Sequence, residues 1–429
     1  MLIEFSVGNY RSFKEKVTFS MVAANIVAKD KKLDDNNVFA IDHDDLRLLK
    51  SAAIYGANAS GKSNLAKALS FMKKFMVNSS KETQSTDEID VEPFRLSTET
   101  EGEPSCFELV FLMDGRKYRY GFETNQERVI SEWLFYVPRL RETNLFHREL
   151  DSIKPSKNYK ADGIQQKTRA NALFLSVSAQ FNVEIAEKIL EWIANKLSII
   201  SGLNDHSYLK HTVNCWVNNE NKTEILQLIR RLDLGIGEIQ IEQEDFTIDS
   251  LTDDVPDELK KLISKLSGGK ATSISTMHRK FDKDGNYKSL EEFDLNSHES
   301  EGTRKIFALA GLLVTTLKQG KILIVDELDA RLHPFISLAI VELFNSNEMN
   351  PNNAQLIFMT HDTNLLSNKF FRRDQIWFTE KNRYGATDLY SLAEYNVRND
   401  ASFESDYIKG RYGAVPYIGN LTHLVDSHV

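Results

Sequence analysis

The chain has 429 residues, of which 41% are hydrophobic and 10% are aromatic. This length and composition exclude a disordered chain and predict two or three folded units. The formal net charge of −9 argues against a surface that binds nucleic acid everywhere, although a local basic groove is compatible with it. The two cysteines, Cys106 and Cys215, lie far apart, which indicates a reducing compartment and excludes a zinc framework. Because no long apolar run is present, we expect a cytoplasmic protein without a membrane span.

Residues 1–182 form the first predicted domain, which is rich in strands. Residues 1–24 alternate apolar and polar side chains about Gly8-Asn9, which predicts a hairpin, whereas the charged stretch 25–47 predicts a solvated excursion. The turn Asp114-Gly115 indicates a second hairpin. Basic and aromatic residues alternate just after this turn, and we favour a half-buried strand there over a nucleic-acid-binding face. Strands are predicted at 91–96, 106–113, 117–124 and 129–137.

The apolar period becomes helical from about residue 183, with helices predicted at 183–197, 222–232 and 256–266. No heptad pattern persists, so we expect residues 183–290 to form a compact, mainly helical insertion with two strands within 270–294. Residues 291–429 form the third predicted domain. Its nearly continuous apolar strands alternate with helices, which indicates a parallel sheet buried on both faces. Its elements are predicted at 300–317 (helix), 321–325 (strand), 334–345 (helix) and 355–360 (strand). The predicted fold class is α/β with a helical insertion.

One stretch has the form G-x-x-x-x-G-K-S, between an apolar strand and a helix. This order is the one that a phosphate-binding loop requires, and it disfavours a chance glycine-rich turn. Two glycines allow the loop N–H groups to converge on phosphate oxygens, the lysine reaches the β- and γ-phosphates, and the serine hydroxyl is a ligand for Mg²⁺. The predicted nucleotide-binding residues here are Gly56, Ala57, Asn58, Ala59, Ser60, Gly61, Lys62, Ser63 and Asn64.

Two strands of the third domain end in candidate catalytic residues. Asp326 and Glu327 follow the first strand, where Asp326 would hold Mg²⁺ together with Ser63, and Glu327 would polarise the attacking water. His361 follows the second strand and is a candidate sensor of the γ-phosphate. Ser300 and Gly302 begin the preceding helix, where they are either a helix cap or a second anion site.

Together these motifs resemble an ABC-type P-loop ATPase head of the SMC, RecF and OLD group. Asn9–Phe13 is similar to the N-terminal strand motif of this group, Gly56–Ser63 to its Walker A, Ser300–Thr303 to its signature, Ile322–Glu327 to its Walker B and His361 to its switch histidine. The stretch Asp329–Pro334 resembles the OLD and RecF members. Four further segments resemble the bacterial RloA and AbiLi-type ATPases that are associated with phage defence: Tyr55–Asn64, Pro93–Leu96, Asn171–Ser176 and Gly410–Pro416.

The resemblance implies that two chains form a homodimer, or a higher homo-oligomer, with ATP bound between the Walker A of one chain and Ser300 and Gly302 of the other. Arg11 would then reach the phosphates, with a surface salt bridge as the alternative. The group's Q-loop glutamine has three candidates by position: Gln84, Gln126 and Gln180. OLD-type nucleases carry a Toprim domain, and since no D-x-D cluster follows His361, we expect this chain to lack a nuclease of its own.

The first functional hypothesis is an Mg²⁺- and ATP-dependent ATPase that acts as a dimerisation switch. From the resemblance alone, it would serve anti-phage defence by sensing infection or by controlling a separately encoded effector. The alternative is a RecF-like ATPase of DNA repair or recombination, which a basic dimer groove and DNA-stimulated hydrolysis would favour. A membrane transporter's nucleotide-binding subunit is disfavoured by the large insertion and the N-terminal motif.

Overall fold

A computed structural model describes residues 1–41, 45–82, 84–138, 141–232, 235–245, 270–398 and 401–417. The chain folds into two compact units. The first comprises Met1–Gly202, Thr316–Ala330 and Ser337–Val429, and the second comprises Leu203–Thr315 and Arg331–Ile336. No helix among the described residues is both long enough and apolar enough to cross a membrane.

The elements of the described residues are as follows. The strands are β1 (Leu2–Gly8), β2 (Val17–Ser20), β3 (Val38–Ala40), β4 (Arg47–Leu49), β5 (Ser51–Tyr55), β6 (Ser105–Met113), β7 (Arg116–Thr124), β8 (Val129–Val137), β9 (Thr143–Glu149), β10 (Ser152–Pro155), β11 (Leu197–Ser201), β12 (Ile236–Asp245), β13 (Lys270–Phe281), β14 (Tyr287–Asp294), β15 (Ile322–Asp326), β16 (Gln355–Met359), β17 (Ile376–Lys381) and β18 (Thr387–Ser391). The helices are α1 (Lys31–Asn36), α2 (Lys62–Asn78), α3 (Phe174–Gln180), α4 (Glu184–Lys196), α5 (His206–Val217), α6 (Lys222–Arg231), α7 (Glu301–Gln319), α8 (Pro334–Asn345) and α9 (Phe403–Ile408). Short 3-10 turns occur at Gln165–Lys167, Thr363–Leu365, Arg373–Gln375 and Leu392–Glu394.

The first unit contains an antiparallel sheet of order β10-β9-β8-β7-β6-β1-β2. Pairing of β1 with β2 confirms the hairpin predicted within residues 1–24. Strands β6 and β7 pair around Asp114 and Gly115, both with positive φ, which confirms the second predicted hairpin. In β7, Tyr120 is fully buried while Arg119 forms ion pairs with Glu108 and Glu142. The basic and aromatic residues there therefore belong to a half-buried strand, as we expected.

The first unit also contains a sheet of order β11-β15-β16-β5-β17-β18, in which all neighbouring pairs are parallel except β17 with β18. This confirms the parallel sheet predicted for the last third of the chain. Strand β5, which leads into the phosphate loop, is separated from β15 by β16 alone. Helix α2 presents Leu65, Leu69 and Met72 to the apolar core of this unit.

Two stretches of the first unit differ from the sequence-based expectations. Residues 25–47 are not only a solvated excursion, because they contain α1 and β3, and Leu33 of α1 and Phe39 of β3 are buried. The buried guanidinium of Arg372, far along the chain, pairs with Asp34 of α1, and such a distant partner leaves no local pattern. Residues 91–96 lie outside the strands, and the Phe94 N–H donates to the Asn9 side chain instead. Residues 42–44 of this charged stretch lie outside the described residues.

The second unit contains α5, α6, the part of α7 up to Thr315 and the antiparallel sheet β12-β13-β14. Its core includes Trp216, Ile225, Ile229 and Phe307. The described residues of 183–290 are therefore not mainly a helical insertion. Helix α4 and strand β11 belong to the first unit, and the strands predicted within 270–294 are part of a longer sheet.

The predicted domain boundaries at 182 and 290 do not coincide with those of the compact units. The amphipathic face of α4 indicated a helix correctly but could not indicate which core it joins. Trp192 of α4 stacks on Phe111 of β6, with ring centroids 4.4 Å apart, so this face belongs to the core of the first unit. The helix predicted at 256–266 lies outside the described residues.

Candidate nucleotide-binding site

The predicted phosphate loop joins β5, which is buried along its whole length, to the N-terminus of α2. A Cβ atom on Gly56 would lie 2.5 Å from Ser60 Oγ and from the Thr379 carbonyl oxygen. A Cβ atom on Gly61, which has a φ of 117°, would collide with the Thr387 hydroxyl. Both positions therefore require glycine. The resulting turn places loop N–H groups and the positive end of the α2 dipole at one place, which suits an anion.

The remaining loop residues differ in exposure. Ala57, Ser63 and Asn64 are half-buried, whereas Asn58 and Ala59 are exposed and Ala59 has a φ of 62°. Ser63 lies in the first turn of α2, at the end of the loop. The exposed tip and the half-buried serine give a solvent-facing loop on a rigid base.

Two threonines of the β17–β18 hairpin form hydrogen bonds with the phosphate loop. The Thr387 hydroxyl donates to the Ser60 carbonyl oxygen at 2.7 Å, and the Thr379 and Ser60 hydroxyls share a hydrogen bond of 2.7 Å. Ser12 adds a third support, because its hydroxyl accepts from Asn64 Nδ2 at 2.7 Å and its carbonyl oxygen accepts from the Thr387 N–H. The loop is thus fixed by both the C-terminal hairpin and the N-terminal motif.

Lys62 folds back over the loop. Its Nζ donates to the carbonyl oxygens of Gly56 at 2.8 Å and of Ala57 at 3.1 Å. Burial lowers the pKa of Lys62 to about 8, and the carboxylates of Asp326, Glu327 and Asp329 only partly oppose this shift. A desolvated ammonium group beside the loop is suited to an anionic ligand that would restore its charge balance.

The acidic residues predicted after β15 lie on the same edge of the sheet as the loop. Asp326 ends β15, and Glu327 follows with a φ of 59°, in the left-handed region. This turn redirects the chain immediately after the strand. Both carboxylates act on the Lys62 ammonium, so the structure brings the predicted loop and acidic residues together.

His361 lies just beyond β16, the strand between the loop and the acidic residues. Desolvation and the Lys62 ammonium lower the pKa of His361 below its usual value, although the carboxylates of Asp329, Glu327 and Asp326 oppose this. The imidazole is therefore held towards its neutral form, in which one ring nitrogen can accept a proton.

Among the described residues, no group of three or more histidine, cysteine, aspartate or glutamate side chains is arranged to hold a metal ion. The predicted Mg²⁺ ligands, Ser63 and Asp326, are only two. Asp326 Oδ1 is buried and has no hydrogen-bond partner among the described residues. An orphaned carboxylate oxygen beside a phosphate loop fits a cation that takes its other ligands from phosphate and water.

The Arg11 side chain contacts Glu92 and Tyr10. Its guanidinium forms an ion pair with Glu92 at 2.5 Å and donates to the Tyr10 hydroxyl at 3.3 Å. Its φ of 50° belongs to the tight turn that places Ser12 against the loop. In this structure the Arg11 side chain therefore has the salt-bridge role that was the alternative to phosphate binding.

In the second unit, Ser300 precedes α7. Its Oγ accepts a hydrogen bond from the Thr303 N–H at 3.1 Å, which is the pattern of a helix N-cap. A Cβ atom on Gly302 would lie 3.0 Å from the Arg331 carbonyl oxygen, and the Arg331 side chain lies 3.5 Å from the Glu301 carboxylate. The start of α7 is thus closely packed against Arg331 of the same unit.

Sequence reasoning missed Thr379, Thr387 and the role of Ser12. These residues match no motif, and Thr387 is more than 300 residues from the loop that it supports. Single threonine and serine residues carry no recognisable sequence pattern, so only the structure could find these contacts.

The family comparison bears on this site directly. Residues 51–367, which include β5, the loop, Asp326 and His361, match the family described as "AAA domain, putative AbiEii toxin, Type IV TA system". The chain belongs to this family of P-loop ATPases. The AAA-domain match begins at the first residue of the strand that leads into the loop. The comparison with curated proteins returned no match.

Solved structures similar to this chain include two SMC head domains and a recombination mediator protein. The SMC head domain from Thermotoga maritima is 13% identical, with 91% of this chain and 98% of that chain covered and a TM-score of 0.37. The Smc head domain with a coiled coil and joint from Pyrococcus yayanosii is 10% identical, with 96% and 99% covered and a TM-score of 0.41. The recombination mediator protein RecF is 13% identical, with 91% and 98% covered and a TM-score of 0.34. The family assignment rests on the sequence match.

Proposed function

We propose that the protein binds and hydrolyses ATP with Mg²⁺ and that ATP drives two chains to dimerise. One observation carries the ATPase proposal: Lys62, on the phosphate loop, is within electrostatic reach of Asp326, Glu327 and His361, which follow neighbouring strands of one sheet. Membership of a P-loop ATPase family supports it.

Each residue of the site would have a role that suits its chemistry. The N–H groups of residues 56–64 and the Lys62 ammonium would bind the phosphates. Ser63 Oγ and the orphaned Asp326 Oδ1 would hold Mg²⁺, which would neutralise charge that develops on the phosphates. Glu327 would accept a proton from the attacking water, and His361, held towards its neutral form, would accept or donate a hydrogen bond near the γ-phosphate.

Dimerisation would complete each site with Ser300 and Gly302 of the second chain. The resemblance to ABC-type heads motivates this part, and the exposed Ser300 at the N-terminus of a 19-residue helix suits an anion. Arg11 would contribute to the phosphates only if its ion pair with Glu92 opens on ATP binding.

We further propose a role in bacterial anti-phage defence, by sensing infection or by controlling a separately encoded effector. The family description names a toxin–antitoxin system, which supports a separately encoded protein partner. The alternative is a RecF-like ATPase that acts on DNA. The dependence of ATP hydrolysis on DNA distinguishes these two roles.

The decisive experiment is the mass of the purified Glu327→Gln protein with and without Mg-ATP, since slow hydrolysis should trap the ATP-bound form. We expect ATP to drive this variant into dimers or larger assemblies. Adding Lys62→Ala or Ser300→Arg should abolish the response. Ser289→Arg places the same side chain on an exposed serine of β14 and is the matched control, which should still assemble.

A mass that does not respond although ATP binds would contradict the shared site. A chain that is already oligomeric without ATP is the exception. In that case Ser300→Arg in the chain with Glu327 intact should lose either its assembly or its ATPase activity. If it keeps both, Ser300 is only a helix cap and the protein acts as a P-loop ATPase without a shared site.

A further inference from the structure

Glu299, the residue before Ser300, has a nearly buried side chain that is 9% exposed. Its Oε1 accepts hydrogen bonds from His278 Nε2 at 2.6 Å and from Thr276 Oγ1 at 2.5 Å. Both donors belong to β13, where Thr276 is fully buried and the His278 ring packs against Phe293 at a centroid distance of 4.8 Å. The Glu299 carboxylate is therefore held by two side chains of β13, directly before the signature-like motif Ser300–Thr303.

The rest of the connection between β14 and α7 is also fixed. The Leu295 N–H donates to the Ile274 carbonyl oxygen, and the Asp294 carboxylate accepts from the N–H groups of Asn296 and Ser297. The Asp294 N–H in turn donates to His298 Nδ1. These bonds leave residues 294–299 with little freedom, so the position of Ser300 follows from that of the sheet.

A carboxylate next to a helix N-terminus ordinarily caps the helix by accepting its free N–H groups. Glu299 does not follow this pattern, because its carboxylate accepts hydrogen bonds from side chains of β13 and the cap of α7 is Ser300. A nearly buried carboxylate is costly unless its hydrogen bonds are satisfied, so its partners determine where it lies. Glu299 therefore links the sheet to the helix start and does not itself cap the helix.

We propose that Glu299 is a positioning residue for Ser300 and Gly302, and that Thr276 and His278 of β13 set it in place. The three-stranded sheet of the second unit would thereby control how readily ATP drives assembly, without touching the nucleotide. This inference rests on the proposed function, in which Ser300 and Gly302 of one chain complete the site of the other.

The test uses the full chain with Glu327→Gln, and adds Glu299→Ala or His278→Ala. We expect each to weaken ATP-driven dimerisation about tenfold or more, because a charge-assisted hydrogen bond is lost. The affinity of the monomer for a fluorescent ATP analogue depends on the phosphate loop. It should stay within about twofold of the parent value. A merely structural role would lower both quantities together.

Conservative variants are the matched controls. His278→Gln keeps a donor to the carboxylate and should keep dimerisation near the parent level. Glu299→Gln keeps an acceptor oxygen without the charge, so it should retain more dimerisation than Glu299→Ala. Lys280→Ala, on the same strand but paired with Glu291, should have no effect. If Glu299→Ala does not fold, comparing His278→Ala with His278→Gln tests the positioning role instead.

The two proposals fail in different ways. If Ser300→Arg blocks assembly while Glu299→Ala and His278→Ala assemble like the parent, the positioning role is wrong and the shared site stands. If Ser300→Arg itself assembles and hydrolyses ATP normally, the shared site is wrong. If nucleotide binding and dimerisation fall together in His278→Ala, Glu299 is only a structural residue.

Discussion

Lys62 carries a prediction about pH, because its ammonium is desolvated and its pKa is lowered to about 8. Below pH 8 the side chain is charged and can bind phosphate without taking up a proton. Above pH 8 the free protein has lost that proton and must regain it when ATP binds, so affinity falls as pH rises. We expect the Kd for ATP to rise about tenfold between pH 7 and pH 9, measured by fluorescence titration.

The control for this prediction is Lys62→Met, which lacks the titrating group and should bind ATP more weakly than the wild type. Its Kd should change little over the same pH range. A wild-type Kd that stays constant up to pH 9 would show that the Lys62 pKa in solution lies well above 8.

At the scale of single residues, sequence could predict what a local motif contains. The residues of the loop, together with Asp326, Glu327 and His361, were predicted to act on one nucleotide, and the structure brings them together. Their catalytic and binding roles remain predictions. Sequence could not predict the Arg11–Glu92 ion pair or the contacts of Thr387, because the partners are distant along the chain.

The β17–β18 hairpin carries a prediction at the scale of elements. Thr387→Val keeps the shape of the side chain but removes the hydroxyl that donates to the Ser60 carbonyl oxygen. We expect a loss of about 1–2 kcal/mol in the free energy of unfolding, measured by urea denaturation, because a buried acceptor loses its donor. Nucleotide affinity should fall at the same time, since the hairpin supports the loop.

Thr387→Ser is the control, because it keeps the hydroxyl. It should retain more stability and nucleotide affinity than the valine variant. Equal stability and affinity of the two variants would mean that the hairpin supports the loop by packing alone.

Elements with a continuous pattern were predictable, whereas their assignment to a core was not. The helix predicted at 334–345 has those bounds as α8, because Pro334 at its first position marks its start. Helix α4 was also found, but its apolar face could not show that it packs on β6 and belongs to the first unit. Periodicity reveals that a face is buried without revealing its partner.

The charge of the whole chain bears on its biological role. A net charge of −9 disfavours extended contact with a phosphate backbone, so we expect single- or double-stranded DNA to change the ATPase rate less than about twofold. The measurement is steady-state hydrolysis with and without DNA over a range of salt concentrations. Strong stimulation that disappears steeply with salt would instead favour the RecF-like alternative.

The placement of β16 between β5 and β15 has a consequence for the tolerance of the site to mutation. All three strands are parallel and joined by main-chain hydrogen bonds. Neighbouring strands in a sheet are about 4.8 Å apart, so the loop and Asp326 follow strands whose axes are about 10 Å apart. Main-chain hydrogen bonds set this separation, and they do not depend on which apolar side chains β16 carries. Exchanges among valine, isoleucine and leucine in β16 can therefore alter packing and stability while leaving this separation unchanged.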